Sequence, residues 1–268
     1  MSFNKNLVPI VHALIVVAAS SIPAAGQVAA PAAAARVVRV AAASDLKFAL
    51  DDIAGRLAKR QPALRIQPSY GSSGVMHAQL RQRAPFDVFL SADIEYPRDL
   101  IAKGIGTERE LFSYATGRLV VWVPLSSTLR LEADGLRALA GAKRIAIANP
   151  RHAPYGRAAE AALRNAGVWA DVERRLVLGE NIAQAAQFVH SGAADAGVIA
   201  KSIVTAPSMR NQGRAWDVPE DAHPPLNQGG LILPWAASRE AALQFRDYLL
   251  GEEGRRVLAS YGFGPPDR

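Results

Sequence analysis

Apolar positions along the chain follow two alternating periods. Val37-Val38-Arg39-Val40-Ala41 is a short β-branched run and predicts a strand. The stretch after it, Leu46 to Arg60, puts Leu46, Ala49, Leu50, Ile53 and Leu57 on one face, which is a helical spacing. The alternation repeats with a strand at Leu64-Arg65-Ile66, a helix over Val75 to Arg83, a strand at Asp87-Val88-Phe89-Leu90 and a helix around Pro97 to Lys103. Leu119-Val120-Val121-Trp122-Val123 is the strongest β-run in the chain, and after it the order starts again. Strands at Arg144 to Ile147, Leu176 to Leu178 and Ala196 to Ile199 enclose helices at Arg157 to Ala166, closed by Gly167, and at Ile182 to His190. A strand at Gly229 to Leu233, a helix at Arg239 to Leu250 and a short helix at Gly254 to Ser260 complete the pattern.

Strand–helix alternation of this kind predicts α/β architecture, with parallel sheets covered by helices on both faces. The restart predicts two lobes of similar layout. Residues 37–118 form the first, 119–227 the second, and 228–268 return to the first, since the termini of a compact unit tend to meet.

The N-terminal segment differs in kind. Lys5 gives a weakly positive start, Leu7 to Ala19 is apolar, and small residues follow through Gly26. This pattern predicts a secretory signal over residues 1–26, cleaved near Ala25 to Ala30. Pro9, His12 and Pro23 interrupt the apolar run, which falls short of the roughly 20 residues a membrane span needs. Residues 27–36, rich in Ala and Pro, read as a flexible leader. The sequence contains no cysteine, which leaves neither disulfides nor thiol chemistry and fits a Gram-negative periplasm.

Charge narrows the partners. The 31 Lys and Arg against 24 Asp and Glu give a net charge of +7, which favours anions in general. The basic residues are scattered in short groups, Arg81 to Arg83, Arg174 with Arg175, and Arg255 with Arg256, as on solvated helix faces. With no basic stripe interleaved with aromatics, nucleic acid is not an expected partner.

Chemistry concentrates at four strand-to-helix junctions: Ala42-Ala43-Ser44-Asp45-Leu46, Ser69-Tyr70-Gly71-Ser72-Ser73-Gly74, Ala148-Asn149-Pro150 through Ala153-Pro154-Tyr155-Gly156, and Gly179-Glu180-Asn181-Ile182. Ligands of open α/β sheets bind beyond the carboxyl ends of strands. Helix N-termini leave N–H groups unpaired and carry partial positive charge, so together they form an anion site without a cationic side chain. Ser44 and Ser73 add hydroxyl donors, and Gly71, Gly74 and Gly156 permit close backbone approach. Each junction alone is more often an ordinary N-cap than a ligand site. Their number, two in each lobe, is what points to an anion.

Catalytic sets do not emerge. His77, His152, His190 and His223 have no metal-ligand spacing, and there is neither a G-x-S-x-G elbow nor a phosphate-binding P-loop. Asp87 and Asp93 flank a strand, as cap or turn residues do.

At these junctions the sequence resembles the periplasmic molybdate-binding proteins of ABC importers, over about Val37 to Gly262. The matching stretches include Ser44-Asp45-Leu46, Gly71-Ser72-Ser73-Gly74, Ala84 to Asp93, Asn149-Pro150 with Ala153-Pro154-Tyr155-Gly156, Ser191 to Gly197, and Tyr261-Gly262-Phe263. The resemblance implies a class II two-lobed binding-protein fold with the oxyanion, molybdate or tungstate, in the cleft. It implies hydroxyl and backbone donors at Ser44 and Ser73, and backbone N–H donors at Tyr155 and Ile182. It also implies delivery to a membrane permease, no cofactor, no catalysis and a monomer, with hinges expected near Arg118 to Val123 and Gly229 to Leu233. Molybdenum enters this scheme only as the oxyanion. Many members carry Tyr where this chain has Ala200, and Tyr155 is the expected replacement. An ionised Asp45 repels a dianion, so Asp45 is expected to offer its backbone N–H while its carboxylate turns away to cap or pair. Other classes to weigh are a sulfate or other oxyanion carrier, an iron carrier, which needs clustered tyrosines, and a hydrolase or lyase on the same fold.

Overall fold

The structure is a computed structural model that describes residues 1–2 and 36–266. The expected signal after residue 2 and all of the leader but Arg36 lie outside the described residues. Strand β1 (Arg36–Ala43) runs into a 3-10 turn at Ser44–Leu46 and helix α1 (Lys47–Arg60). Next come β2 (Leu64–Gly71), α2 (Ser73–Arg81), β3 (Val88–Ser91), α3 (Glu95–Ala102) and β4 (Leu111–Gly117). The second half opens with β5 (Leu119–Pro124), α4 (Leu131–Asp134), β6 (Ile145–Ala148), α5 (Pro154–Asn165) and α6 (Trp169–Val172). It continues through β7 (Leu176–Gly179), α7 (Ile182–His190), β8 (Ala196–Ala200), α8 (Lys201–Val204) and β9 (Gly213–Asp217). β10 (Leu226–Ile232), α9 (Arg239–Leu250) and α10 (Glu252–Ser260) end it.

The strands form two five-stranded sheets, ordered β2-β1-β3-β10-β4 and β7-β6-β8-β5-β9. Both are mixed, which corrects the expectation of purely parallel sheets. β1 is parallel to β2 and β3, and β6 to β7 and β8, through helical crossovers. β10 is antiparallel to β3 and β4, and β5 to β8 and β9. β5 and β10 are the strands that arrive from the other lobe. Neither is tied to its neighbours by a helical crossover, so neither is obliged to run parallel.

The chain passes between sheets twice. Arg118 separates β4 from β5, and residues 218–225 separate β9 from β10. The return therefore precedes Gly229 to Leu233, the expected hinge. Gly229, Gly230 and Leu231 lie within β10 and are held by β3 on one side and β4 on the other.

Each sheet has its own core. On one face of the first, α1, α9 and α10 bury Leu46, Leu50, Phe245, Leu249 and Leu258 against Val38 and Val40, so the C-terminal helices do return to the first lobe. On its other face Met76, Leu80 and Leu100 pack on Phe89 and Leu231. The second sheet carries Trp122, Ile145, Ile147, Val198 and Ile199 beneath Ala159, Leu163, Ala185 and Val189. Each fully buried side chain of this size contributes about 1.5–3 kcal/mol. Among the described residues no helix is long and apolar enough to cross a membrane.

Candidate functional site

The carboxyl ends of β1, β2, β6 and β7 bring the four junctions to one place. Ser44, Asp45, Ser73, Tyr155 and Ile182, all five residues singled out in the sequence, line a single cavity. Ala43, Gly71, Ser72, Ala92, Ala153 and Pro154 complete its wall, around a tight cavity of about 10 Å³, little more than one water-sized sphere, in the closed form. No cationic side chain is among them. Larger grooves lie on the surface of the second lobe, one beside Gly135 and Trp216 for example, but they collect no set of helix starts.

Local chemistry fixes each start. Ser72 caps α2 by accepting from the Val75 N–H at 3.4 Å, and Asn181 caps α7 by accepting from Gln184 N–H at 3.0 Å. Pro154 opens α5, where its missing N–H costs nothing. Gly156 lies so close to β6 that a Cβ there would sit 2.2 Å from the Ala148 carbonyl oxygen. The first-turn amides of Tyr155 and Ile182 have no intrahelical acceptor and sit at positive dipole ends. Ser73 Oγ accepts from Ala92 N–H at 3.0 Å, and Ser44 Oγ from Ala183 N–H at 3.4 Å. A hydroxyl used as acceptor keeps its own hydrogen to donate. The cavity thus offers donors, not charges.

Asp45 is the exception, 1% exposed and without a cation. Its Oδ2 accepts from Gln228 Nε2 at 2.5 Å, and the same nitrogen donates to the Tyr155 hydroxyl at 3.2 Å. That hydroxyl sits against Gly117, where a Cβ would come within 2.3 Å, just before the first passage between sheets. Burial pushes the Asp45 carboxyl up to about 6, while hydrogen bonding from Gln228, Tyr155 and the backbone of Asp45 and Leu46 pulls it back. Burial and the Asp45 charge push the Tyr155 phenol well above its ordinary value. The carboxylate therefore pairs with a neutral amide rather than a cap or a cation. The Tyr155 hydroxyl, expected to replace a side chain missing at Ala200, is engaged by Gln228 and Asp45, and Ala200 itself is fully buried.

Further ties join the lobes around the cavity. The Gly74 N–H donates to the His152 carbonyl at 2.9 Å, Ser72 Oγ contacts His152 Nδ1 at 2.8 Å, and Ser202 Oγ donates to the Asp45 carbonyl at 2.8 Å. Arg157 donates to Asp93 Oδ2 at 2.7 Å and to the Tyr96 hydroxyl at 3.0 Å, with its guanidinium 5.5 Å from the Tyr96 ring centroid. The lobes are closed on one another. Sequence reasoning missed Gln228, Ser202 and the Arg157 contacts. The one available signal was the polar pair Asn227-Gln228 inside the Leu226–Ile232 strand. Asp87, read as a cap or turn residue, is instead a buried tie whose oxygens accept from Arg39 N–H and Ala237 N–H, each at 2.7 Å.

Ser72 Oγ, while capping α2, stays within reach of His152, and the carboxylate of Glu180 stands 3.5 Å from His152 Nε2 and is largely exposed. Among the described residues no group of His, Cys, Asp and Glu is placed to hold a metal ion.

Two mixed α/β lobes, joined by two passages and closed over a cavity of helix starts, define a two-lobed solute-binding protein. The family model of bacterial extracellular solute-binding proteins matches residues 38–264, and the chain belongs to that family. Its relatives there include the molybdate-binding protein ModA of Azotobacter vinelandii, 36% identical over 233 residues that cover 87% of this chain and 92% of the relative. ModA of Rhodobacter capsulatus is 33% identical, covering 87% and 90%. The solved periplasmic molybdate-binding protein of Azotobacter vinelandii superposes with a TM-score of 0.80 at 30% identity, over 86% of this chain and 100% of that one.

Proposed function

We propose that this chain is the substrate-binding component of an ABC importer that captures molybdate, and tungstate with it, and delivers it to a permease in the inner membrane. The observation that carries this reading is the convergence of four junctions on one cavity walled by neutral donors. Molybdate is a dianion that only accepts hydrogen bonds. Neutral donors aimed at such an anion form charge-assisted bonds, each stronger than a neutral pair. The ModA relatives support the choice of anion. Sulfate presents the same four acceptors, so cavity size decides between them. The site lies in the periplasm, works as a monomer without cofactor, and performs no catalysis.

Donors come from both lobes, so bound anion and closed lobes stabilise one another. Isothermal titration of the mature chain with molybdate, tungstate and sulfate tests the reading. Saturable heat at one molybdate per chain is expected, and no heat with any of the three overturns it. The Arg157 contacts add to closure without lining the cavity. Their ion pair is partly exposed, with side chains 42% and 28% accessible, so its net worth is at most about 1 kcal/mol. Arg157→Ala is expected to raise the Kd for molybdate by about fivefold, by titration, with the 1:1 stoichiometry kept.

A further inference from the structure

The Asp45 cluster is short of one hydrogen. Asp45 Oδ1 and Gln228 Oε1 are both buried acceptors that no donor among the described residues reaches in good hydrogen-bond geometry, although the backbone N–H groups of Asp45 and Leu46 lie near the carboxyl, and they belong to two side chains already in contact. Buried acceptors without donors are rare and costly. Nothing cationic compensates. The groups that face the carboxylate are Gln228 from β10, the phenols of Tyr155 from α5 and Tyr114 from β4, and Ser202 of α8, which bonds the Asp45 carbonyl. The nearest cations along the chain are engaged elsewhere, Lys47 with Asp51, Lys201 with Asp217 and Arg118 with Glu220.

The same residue stands between Ser44 and Leu46 at a helix start that lines the cavity. An ionised carboxylate there competes with a dianion for the same first-turn amides and repels it across a poorly solvated gap. A neutral carboxyl does neither, and its hydrogen supplies the donor that the Asp45–Gln228 pair lacks.

We propose that anion capture by this site takes up one proton from water, which the Asp45 carboxyl holds for as long as the anion stays bound between the closed lobes. Opening the lobes draws Tyr155 and Ser202 away from Asp45 and lets water in. The carboxyl then returns its proton to solvent, and the negative charge left behind favours departure of the anion. Asp45 is a positioning residue that links release to opening. The burial that raises its pKa in the closed form is consistent with this. The proposal rests on the oxyanion reading above.

Titration with molybdate near pH 7 in two buffers of different ionisation heat tests it. The apparent enthalpy should change with the ionisation heat of the buffer, by up to one buffer proton per anion bound. Between roughly pH 6 and 8, where molybdate stays a dianion, the affinity should fall as pH rises, by at most tenfold per pH unit. Asp45→Asn should bind with no buffer dependence and a flat pH profile. Molybdate binding by the unaltered chain with buffer-independent heat overturns the proton and leaves the oxyanion reading intact, and a slope that survives in Asp45→Asn does the same. Absence of molybdate binding by the unaltered chain overturns both.

Discussion

Gly74→Ala should weaken molybdate capture about a hundredfold while leaving the folded lobes at least as stable as before. Gly74 is in the first turn of α2, and its N–H donates across the cleft to His152 O at 2.9 Å. A Cβ at this position would lie 2.7 Å from that oxygen, 2.9 Å from His152 Cβ and 2.9 Å from the Tyr96 hydroxyl. Two of the three atoms belong to the second lobe, and one is backbone, which cannot turn aside. Relief comes by holding the lobes apart. Alanine is otherwise about 1 kcal/mol better than glycine in a helix, so the first lobe does not suffer. What is lost is the second lobe's share of the anion shell. Two charge-assisted hydrogen bonds at about 1.5 kcal/mol each amount to about 3 kcal/mol, or roughly a hundredfold in Kd. Titration calorimetry reads the affinity, and thermal unfolding without anion reads the stability. An unchanged Kd would show that closure tolerates the methyl group and that the lobes do not need this contact.

The helices were the most legible part of the sequence. α7 and α9 begin and end where the apolar period does, because each buries one stripe on a sheet, as Ala185, Ala186 and Val189 do for α7. β4 and β9 were not legible. β4 spreads Ser113 and Thr116 through a weakly alternating run, and β9 is an edge strand of half-exposed residues with no buried face to leave a period. Strand direction was beyond reach as well. Periodicity reports which faces are buried, whereas β5 and β10 run against their neighbours because of where the chain crosses between lobes.

Within the site the division is by distance along the chain. Ser44, Ser73, Tyr155 and Ile182 could be found because a helix start after a strand is a local pattern, read within a few residues. Gln228 stands 183 positions from Asp45 and meets it only once the chain has returned to the first lobe, and Arg157 stands 64 from Asp93, a contact that exists only once the two lobes have folded and closed. The sequence suggested that the Asp45 carboxylate must turn from an anion. It contained nothing to say that the partner would be a neutral amide, which leaves the charge unbalanced.

That imbalance has a measurable cost. Asp45→Asn should stabilise the closed, anion-free form by about 3 kcal/mol at pH 8, an upper limit where the lobes open, with the gain fading toward pH 4. In the folded chain the carboxyl is raised from 3.8 to about 6. The raised value means that the native state holds a proton the unfolded chain has already lost. Stability linked to that proton is fully present below 3.8 and is lost as pH rises through about 6. A difference of about 2 pKa units corresponds to about 3 kcal/mol above this window. Asparagine carries no charge to lose. Its oxygen can still accept from Gln228 Nε2, and its amide hydrogens can serve Gln228 Oε1, which has no partner among the described residues. Thermal unfolding at several pH values checks this, with an expected rise in Tm of roughly 6–12 °C at pH 8 for a chain of this size. An equal gain at pH 4 and pH 8 would trace it to packing rather than to charge. A carboxylate kept at such a cost where asparagine fits marks a position at which stability has yielded to function. Its burial, in turn, makes the charge sensitive to whether the lobes are open.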